Sequence, residues 1–157
     1  MLSWIAERLR KTRGQSLVEF ALIAPMFLIL IFGVIDFGMG LRAYITVSQA
    51  TREGARSAAI GMAPGTFTTG GAGDCNGSTN TTVVGKVCAT MDSLGLSNLS
   101  EVSVTYPDGV APGNSVRVHA EYEYDYITPL SAVVSFFTGG SLGGSVTVSS
   151  TTDMRLE

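Results

Sequence analysis

The longest apolar run of the chain extends from Phe20 to Ile35 without a charged residue. Its roughly 16 residues give about 24 Å of helix, and extension to residue 41 across Asp36 gives about 33 Å, close to the ~30 Å hydrocarbon core of a bilayer. The run therefore predicts a transmembrane helix over about residues 17–41. Basic residues are concentrated before it, and the next one is Arg42, so the positive-inside rule places the N-terminal side in the cytoplasm.

The helical pattern continues beyond the apolar run with smaller side chains. A spacing of three to four residues persists through Leu41, Tyr44, Val47, Thr51, Ala55 and Ala58. Ala50, Gly54 and Ala58 form a ladder of small residues, which allows another backbone to approach closely. We expect the ladder to pack against a sheet of the same chain, with a neighbouring helix as the alternative. Gly61 and Pro64 end a helix predicted over residues 15–60, of which 42–60 lie outside the membrane.

The remaining residues, 61–157, predict an extracytoplasmic head. It begins with an exposed, mobile Gly/Thr-rich loop over residues 61–82. Apolar periodicity then predicts a helix over 82–94, strands over 101–106 and 115–126, a helix over 130–137 and a strand over 145–152. Thr128 and Pro129 are typical of an N-cap followed by the first helical position. The predicted fold class is α+β: a long N-terminal transmembrane helix packed on a small three-stranded antiparallel sheet, with two short helices.

Composition changes this picture little. The chain has 157 residues, a net charge of −3 and a calculated pI near 5.1, which gives no support to a nucleic-acid partner. Glu121, Glu123 and Asp125 alternate along one strand with His119, and a catalytic or calcium-binding cluster is one interpretation. A solvated strand face has the same pattern and is favoured. Because no nucleophile, base and metal ligands converge in the sequence, we expect neither an enzyme nor a cofactor.

Two cysteines, Cys75 and Cys88, fall on the predicted outer side of the membrane, where thiols oxidise. A structural disulfide is therefore expected, and the chain-entropy model assigns about 3 kcal/mol to a loop of this length. The alternative is a metal site, which needs further ligands. The chain has one histidine, His119, which is a weak supplement.

Three interpretations compete for the N-terminal arm. The first is a cleaved signal peptide, although the apolar run exceeds the usual ~7–15 residues and no clear small-residue cleavage site follows it. The second is a plain single-pass anchor, which leaves the carboxylate of Glu19 unexplained. The third is a prepilin signal, in which residues 1–14 are a basic leader removed before the apolar run, so that the helix remains on the mature protein.

Four short motifs favour the third interpretation. They are Gly14 with Glu19-Phe20 five and six residues later, Ala24-Pro25, Ile35-Asp36-Phe37-Gly38 and Ala50-Thr51-Arg52-Glu53-Gly54-Ala55-Arg56. With them the chain resembles the TadE-like pseudopilins of tight-adherence (Flp-type) pili. The resemblance implies cleavage after Gly14 by a prepilin peptidase, which makes Gln15 the first mature residue.

The same resemblance implies where the protein works and with what. Its partners would be the prepilin peptidase, other pilins and pseudopilins, the inner-membrane assembly platform and the lipid bilayer. The protein would sit in the bacterial cytoplasmic membrane with its head outside, or in a surface pilus. Because major pilins of this type are mostly helix, the larger head favours a minor or tip role. An uncleaved, membrane-anchored binding or adhesin module is the alternative function.

The two carboxylates of the apolar segment are candidate assembly residues together with Phe20. An unpaired carboxylate at a membrane boundary is costly and usually marks a partner. We expect Glu19 to pair with the freed α-amine of Gln15 on a neighbouring copy, or else to lie in the headgroup layer near Arg13. Asp36 is expected just beneath the outer headgroups, within reach of water, so that Asp36→Asn would be tolerated.

Overall fold

The computed structural model describes residues 2–68, 72–73, 80–96, 99–139 and 143–157. Three helices are present in these ranges: α1 (Leu2–Ala59), α2 (Val83–Ser93) and α3 (Leu130–Thr138). The strands are β1 (Phe67–Thr68), β2 (Ala72–Gly73), β3 (Leu99–Thr105), β4 (Ser115–Asp125) and β5 (Ser145–Arg155). A long apolar helix, two short helices and a three-stranded antiparallel sheet confirm the predicted α+β class.

The main sheet has the order β3-β4-β5, and both of its pairings are antiparallel. Side chains alternate between the faces along β4, where Val116, Val118 and Ala120 are fully buried and the residues between them are at least partly exposed. This is the alternation expected of a sheet with one covered and one solvated face. The β4–β5 pairing runs without a shift from Ser115↔Arg155 to Asp125↔Ser145.

Residues 38–125 and 145–157 form one of two compact units. Its core joins small residues of α1 to valines of α2 and β4. A Cβ on Gly54 would lie 2.5 Å from Cγ2 of Val87 and 3.4 Å from Cγ1 of Val118. Ala50 and Ala58 are buried on the same ladder, at 0% and 1% exposure. The ladder therefore packs within the chain, as expected, and glycine is required where α1, α2 and β4 approach most closely.

The second compact unit comprises residues 1–37 and 126–144. Along α1 in this unit, partly buried positions recur at Pro25, Ile29 and Phe32, and Asp36 is buried. Because residues three to four apart share a helix face, these positions mark one covered stripe. α3 is followed by Gly139, whose left-handed φ of +66° and N–H bond to the Ser135 carbonyl make it a glycine cap of the helix C-terminus.

Four details differ from the sequence-based expectations. α1 begins at Leu2 rather than near Gln15, since no strong helix breaker separates the basic segment from the apolar run. The predicted loop contains the short β1–β2 pairing, in which Phe67 reaches the core. Leu41 and Tyr44 are about half exposed, so the buried stripe is displaced to the small residues. Pro129, not Thr128, is the N-cap of α3.

Candidate membrane and assembly site

The apolar stretch of α1 is long enough to cross a membrane. Among the described residues, one helix segment meets the length and composition requirements for a span, and it lies within Gly14–Ala59. Large apolar side chains cover its surface, including Leu22 and Met26 at 78% and 77% exposure. In water this surface would be strongly unfavourable, whereas in lipid it costs nothing to expose. The stretch has the properties of a membrane anchor.

Glu19 and Phe20 lie on α1 and are both exposed. Helix neighbours of Glu19 at spacings of three and four are Gln15, Ser16, Leu22 and Ile23, none of which is a cation. After Glu19 the next basic residue is Arg42, roughly 34 Å further along a continuous helix. Among the residues whose side chains are described, none forms an ion pair or hydrogen bond with Glu19. The carboxylate is thus open to a partner from outside this helix.

Gly14 and Gln15 lie in the same exposed part of α1. A Cβ built on Gly14 has no neighbouring atom within 4 Å, so packing in the folded chain does not require glycine there. Glycine weakens a helix interior by about 1 kcal/mol relative to alanine. The position therefore lowers the helix stability locally.

Asp36 differs from Glu19 in its burial and in its hydrogen bonding. It is 4% exposed and accepts hydrogen bonds through Oδ1 from the backbone N–H groups of Ile127 and Thr128, at 3.1 and 3.3 Å. The Thr128 hydroxyl donates to Oδ2 of the same carboxylate. One carboxylate therefore satisfies three donors of the segment that leads into α3, and it anchors that segment to α1.

This arrangement explains why Thr128 is not the N-cap of α3. An N-cap hydroxyl normally accepts a bond from a backbone N–H of the first helical turn. Here the hydroxyl donates to a carboxylate instead, and hydrogen bonds to a charged acceptor are roughly twice as strong as neutral ones. Asp36 was expected to reach water, but it is buried because the segment before α3 supplies its hydrogen-bond partners.

The solvated face of the main sheet carries charge pairs. Arg117 and Asp153 form a two-pronged pair across β4 and β5, at 2.8 and 3.0 Å. The bond to Arg117 lowers the pKa of the Asp153 carboxyl below its ordinary value of 3.8. His119 contacts Thr151 and Glu121 on the same face, at 2.8 and 3.2 Å. Glu123 accepts a bond from the Ser145 hydroxyl, so these polar side chains bond mainly to one another across the strands.

The described residues contain no group of three or more His, Cys, Asp or Glu side chains positioned to hold a metal ion. Cys88 is buried on α2 at 6% exposure and belongs to the core cluster. Cys75 lies outside the described residues. The Cys75–Cys88 pairing therefore stays a prediction, with Cys88 at a buried position where a bridge would be protected.

Of the sequence-based candidates, Gly14, Gln15, Glu19 and Phe20 fall together on the first exposed turns of the apolar helix. Asp36 does not join them, and lies with Ile127 and Thr128 instead. These two partners were missed because they follow Asp36 by more than 90 residues. A signal was present: a lone carboxylate in an apolar run calls for a partner, and Thr128 introduces a second uncharged run.

Comparison with known proteins bears on this part of the chain. Residues 14–56 match the family model described as TadE-like protein. The matched range contains Gly14, Glu19, Phe20 and Asp36 as well as Ala50 and Gly54 of the small-residue ladder, and it confirms the resemblance drawn from the motifs. No curated protein and no solved structure matches the chain. Together with the long apolar helix, the family match indicates a membrane-anchored protein associated with a pilus system.

Proposed function

Because residues 14–56 form a TadE-like segment, we propose that this protein is a minor pilin or pseudopilin of a tight-adherence pilus. Its role is structural rather than catalytic. A prepilin peptidase trims it after Gly14, α1 holds it in the cytoplasmic membrane with the N-terminal side inside, and α1 then joins it to other pilins or to the assembly platform. It either enters the filament or primes its assembly.

One observation carries this proposal, namely the open carboxylate of Glu19 on an exposed apolar helix. A charged side chain in such a position is expensive once the helix moves toward the bilayer centre, unless a cation accompanies it. Trimming after Gly14 creates that cation, since an α-amine has a pKa of about 8 and is protonated at pH 7. Gln15 and Glu19 are separated by about 6 Å along the axis, so a neighbouring α1 displaced by roughly one turn brings its amine level with Glu19.

The amine of the same chain is also one turn from Glu19. Pairing within one chain would neutralise the carboxylate but contribute nothing between subunits. A variant that removes the charge therefore distinguishes the two arrangements, because only pairing between subunits makes assembly depend on Glu19.

Glu19→Gln tests the proposal directly. The variant should insert and be trimmed normally, yet its recovery with sheared pili or with assembly partners should fall at least about tenfold, which corresponds to a loss of ~1.4 kcal/mol. Glu19→Asp is the matched control that keeps the charge and should recover part of the parent level. Recovery is measured by immunoblot against the amount of each variant in membranes.

Recovery of Glu19→Gln equal to that of the parent would show that the carboxylate has no intermolecular partner. The uncleaved, membrane-anchored binding or adhesin module would then be the better description. The same conclusion would follow if Glu19→Asp and Glu19→Gln were lost equally, because side-chain shape rather than charge would then control assembly.

Trimming after Gly14 has its own test. Gly14→Leu should keep the leader attached, since a side chain beside the scissile bond obstructs entry of the backbone into the peptidase. Gly38→Leu is the matched control, because Gly38 is also a helical glycine of α1 with open space around its Cβ position. Intact mass and N-terminal sequencing of protein from membranes give the result. A functional parent protein that still begins at Met1 would contradict the proposal.

A further inference from the structure

The connection between β4 and β5 is uncharged throughout. Residues 126–144 contain no Asp, Glu, Lys, Arg or His, although they follow β4, which carries charges along its length. The strands are still paired where the connection begins and ends, at Asp125↔Ser145, and the Tyr126 N–H donates to the Gly144 carbonyl at 3.3 Å. The chain thus leaves the sheet and returns to it at the same place.

This connection forms a compact unit with the apolar stretch of α1. Residues 126–144 belong with residues 1–37, and not with the unit that contains the sheet. The covered stripe of α1, defined above by Pro25, Ile29, Phe32 and Asp36, needs an element to cover it. Within this unit the only described residues outside α1 come from 126–139 and 143–144, so this connection supplies the cover.

The position of the connection along α1 follows from its attachment at Asp36. Asp36 binds the N–H groups of Ile127 and Thr128, and the covered stripe extends from there to Pro25, roughly 16 Å toward the basic end of α1. α3 is nine residues long, or about 14 Å. The connection therefore lies beside the part of α1 that is uncharged and long enough to span lipid.

Two of the three hydroxyl groups of α3 are bonded within the helix, as an apolar environment favours. In lipid, backbone and hydroxyl groups must find partners within the protein because no water is available. Ser135 and Thr138 donate their hydroxyls to the carbonyls of Ala132 and Val134 in the same helix, both at 2.9 Å. Phe136 nevertheless remains 82% exposed on α3. A large exposed aromatic surface suits acyl chains better than water.

We propose that residues 126–139 and 143–144 form a re-entrant membrane element, inserted among the acyl chains beside α1 and held there by Asp36. The head would then contact the bilayer through two segments, of which only α1 crosses it. Lipid acyl chains are the occupant of the exposed face of α3. This inference rests on α1 as a membrane anchor, but not on trimming or on a role in a pilus.

Depth-dependent fluorescence quenching tests the inference on the full chain. The chain has one tryptophan, Trp4, so Trp4→Phe gives a silent background into which single reporters are placed. Phe136→Trp reports on α3, Phe27→Trp reports on the exposed anchor surface and Val110→Trp reports on an exposed turn of the head. Each variant is reconstituted in vesicles of phosphatidylcholine with and without dibrominated acyl chains.

We expect brominated lipid to quench Phe136→Trp to about the same extent as Phe27→Trp, with blue-shifted emission for both and little quenching by acrylamide. Val110→Trp should behave oppositely. Acrylamide quenching of Phe136→Trp at the level of Val110→Trp would place α3 in water and overturn the inference. Protection from both quenchers would overturn it too, because protein would then cover the face. Absence of lipid quenching in Phe27→Trp would contradict the anchor itself, and the inference with it.

Discussion

α1 contains two stretches with opposite surface chemistry on one helical backbone. The first, residues 14–41, carries large apolar side chains that are mostly exposed, such as Leu22, Met26 and Phe37. The second, residues 43–59, buries small ones, including Ala43, Ala50 and Ala58, and keeps its arginines outside. In α1 the large apolar side chains are exposed and the small ones are buried. An ordinary globular helix shows the reverse, because its large apolar residues are buried.

The difference shows what each stretch is made to contact. Large exposed side chains suit fluid lipid, which adapts to any shape and requires only that no charge be left unpaired. Small buried side chains suit a rigid partner at short distance, here β4 and α2, where one methyl group too many has no room. Within the first stretch the two carboxylates also differ, because Glu19 is open whereas Asp36 is satisfied by its own chain.

The strongest test of the comparison is a pair of glycine substitutions, one in each stretch. Gly54→Leu should lower the free energy of unfolding of the head by more than about 3 kcal/mol, because even a Cβ there lies 2.5 Å from a stiff, buried valine. Gly38→Leu should change it by less than about 1 kcal/mol, since nothing lies within 4 Å. Thermal unfolding followed by circular dichroism in detergent measures both. Similar losses in the two variants would break the comparison.

A smaller effect is expected from removal of the buried carboxylate. Asp36→Ala leaves the N–H groups of Ile127 and Thr128 without their acceptor, and an unsatisfied donor costs about 1–3 kcal/mol. Hydrogen exchange at these two amides should accelerate, whereas Glu19→Ala should leave it unchanged. Asp36→Asn retains one acceptor oxygen and should fall between them. Unchanged exchange in Asp36→Ala would mean that the carboxylate does not hold the segment.

The smallest effect concerns the charge pair on the solvated sheet face. The pKa of Asp153 is lowered from its ordinary value of 3.8, so the pair stabilises the fold at pH values above 3.8. This contribution is lost as the pH falls through the lower pKa of the folded state. Both side chains are half exposed, so solvent screens the pair. Asp153→Asn should match the parent in thermal unfolding at pH 7 within error. A clear loss would show that charge, and not packing, stabilises the head.

Several elements were predictable because their signals are local. The alternation along β4, the Thr82 cap and apolar spacing of α2, and the glycine stop of α3 each arise within about ten residues of sequence. The small-residue ladder was predictable as a packing surface for the same reason. These features depend on backbone periodicity and capping, which neighbouring residues determine.

The Asp36 contacts and the β1–β2 pairing were not predictable in this way. Both depend on where distant segments meet, and the local pattern around Thr128 favoured a helix cap over a bond to a distant carboxylate. The two-residue strands have almost no periodicity to detect. The expected pairing of Glu19 with a neighbouring copy stays a prediction, although the absence of a cation at helix spacing around it is a property of the sequence.

The contacts between α1 and β5 impose an order on biosynthesis. Thr51 bonds to Ser150 and Thr152, about 100 residues later in the chain, and Glu157 donates its N–H to the carbonyl of Ala59. At a synthesis rate of about 5–20 residues per second, the second stretch of α1 waits roughly 5–20 s for these partners to emerge. During that interval its uncovered surface consists largely of alanine, serine and threonine, which attract chaperones and other chains less than leucine or phenylalanine would. The side chains that permit close packing in the finished head thus also protect the nascent chain while it is still incomplete.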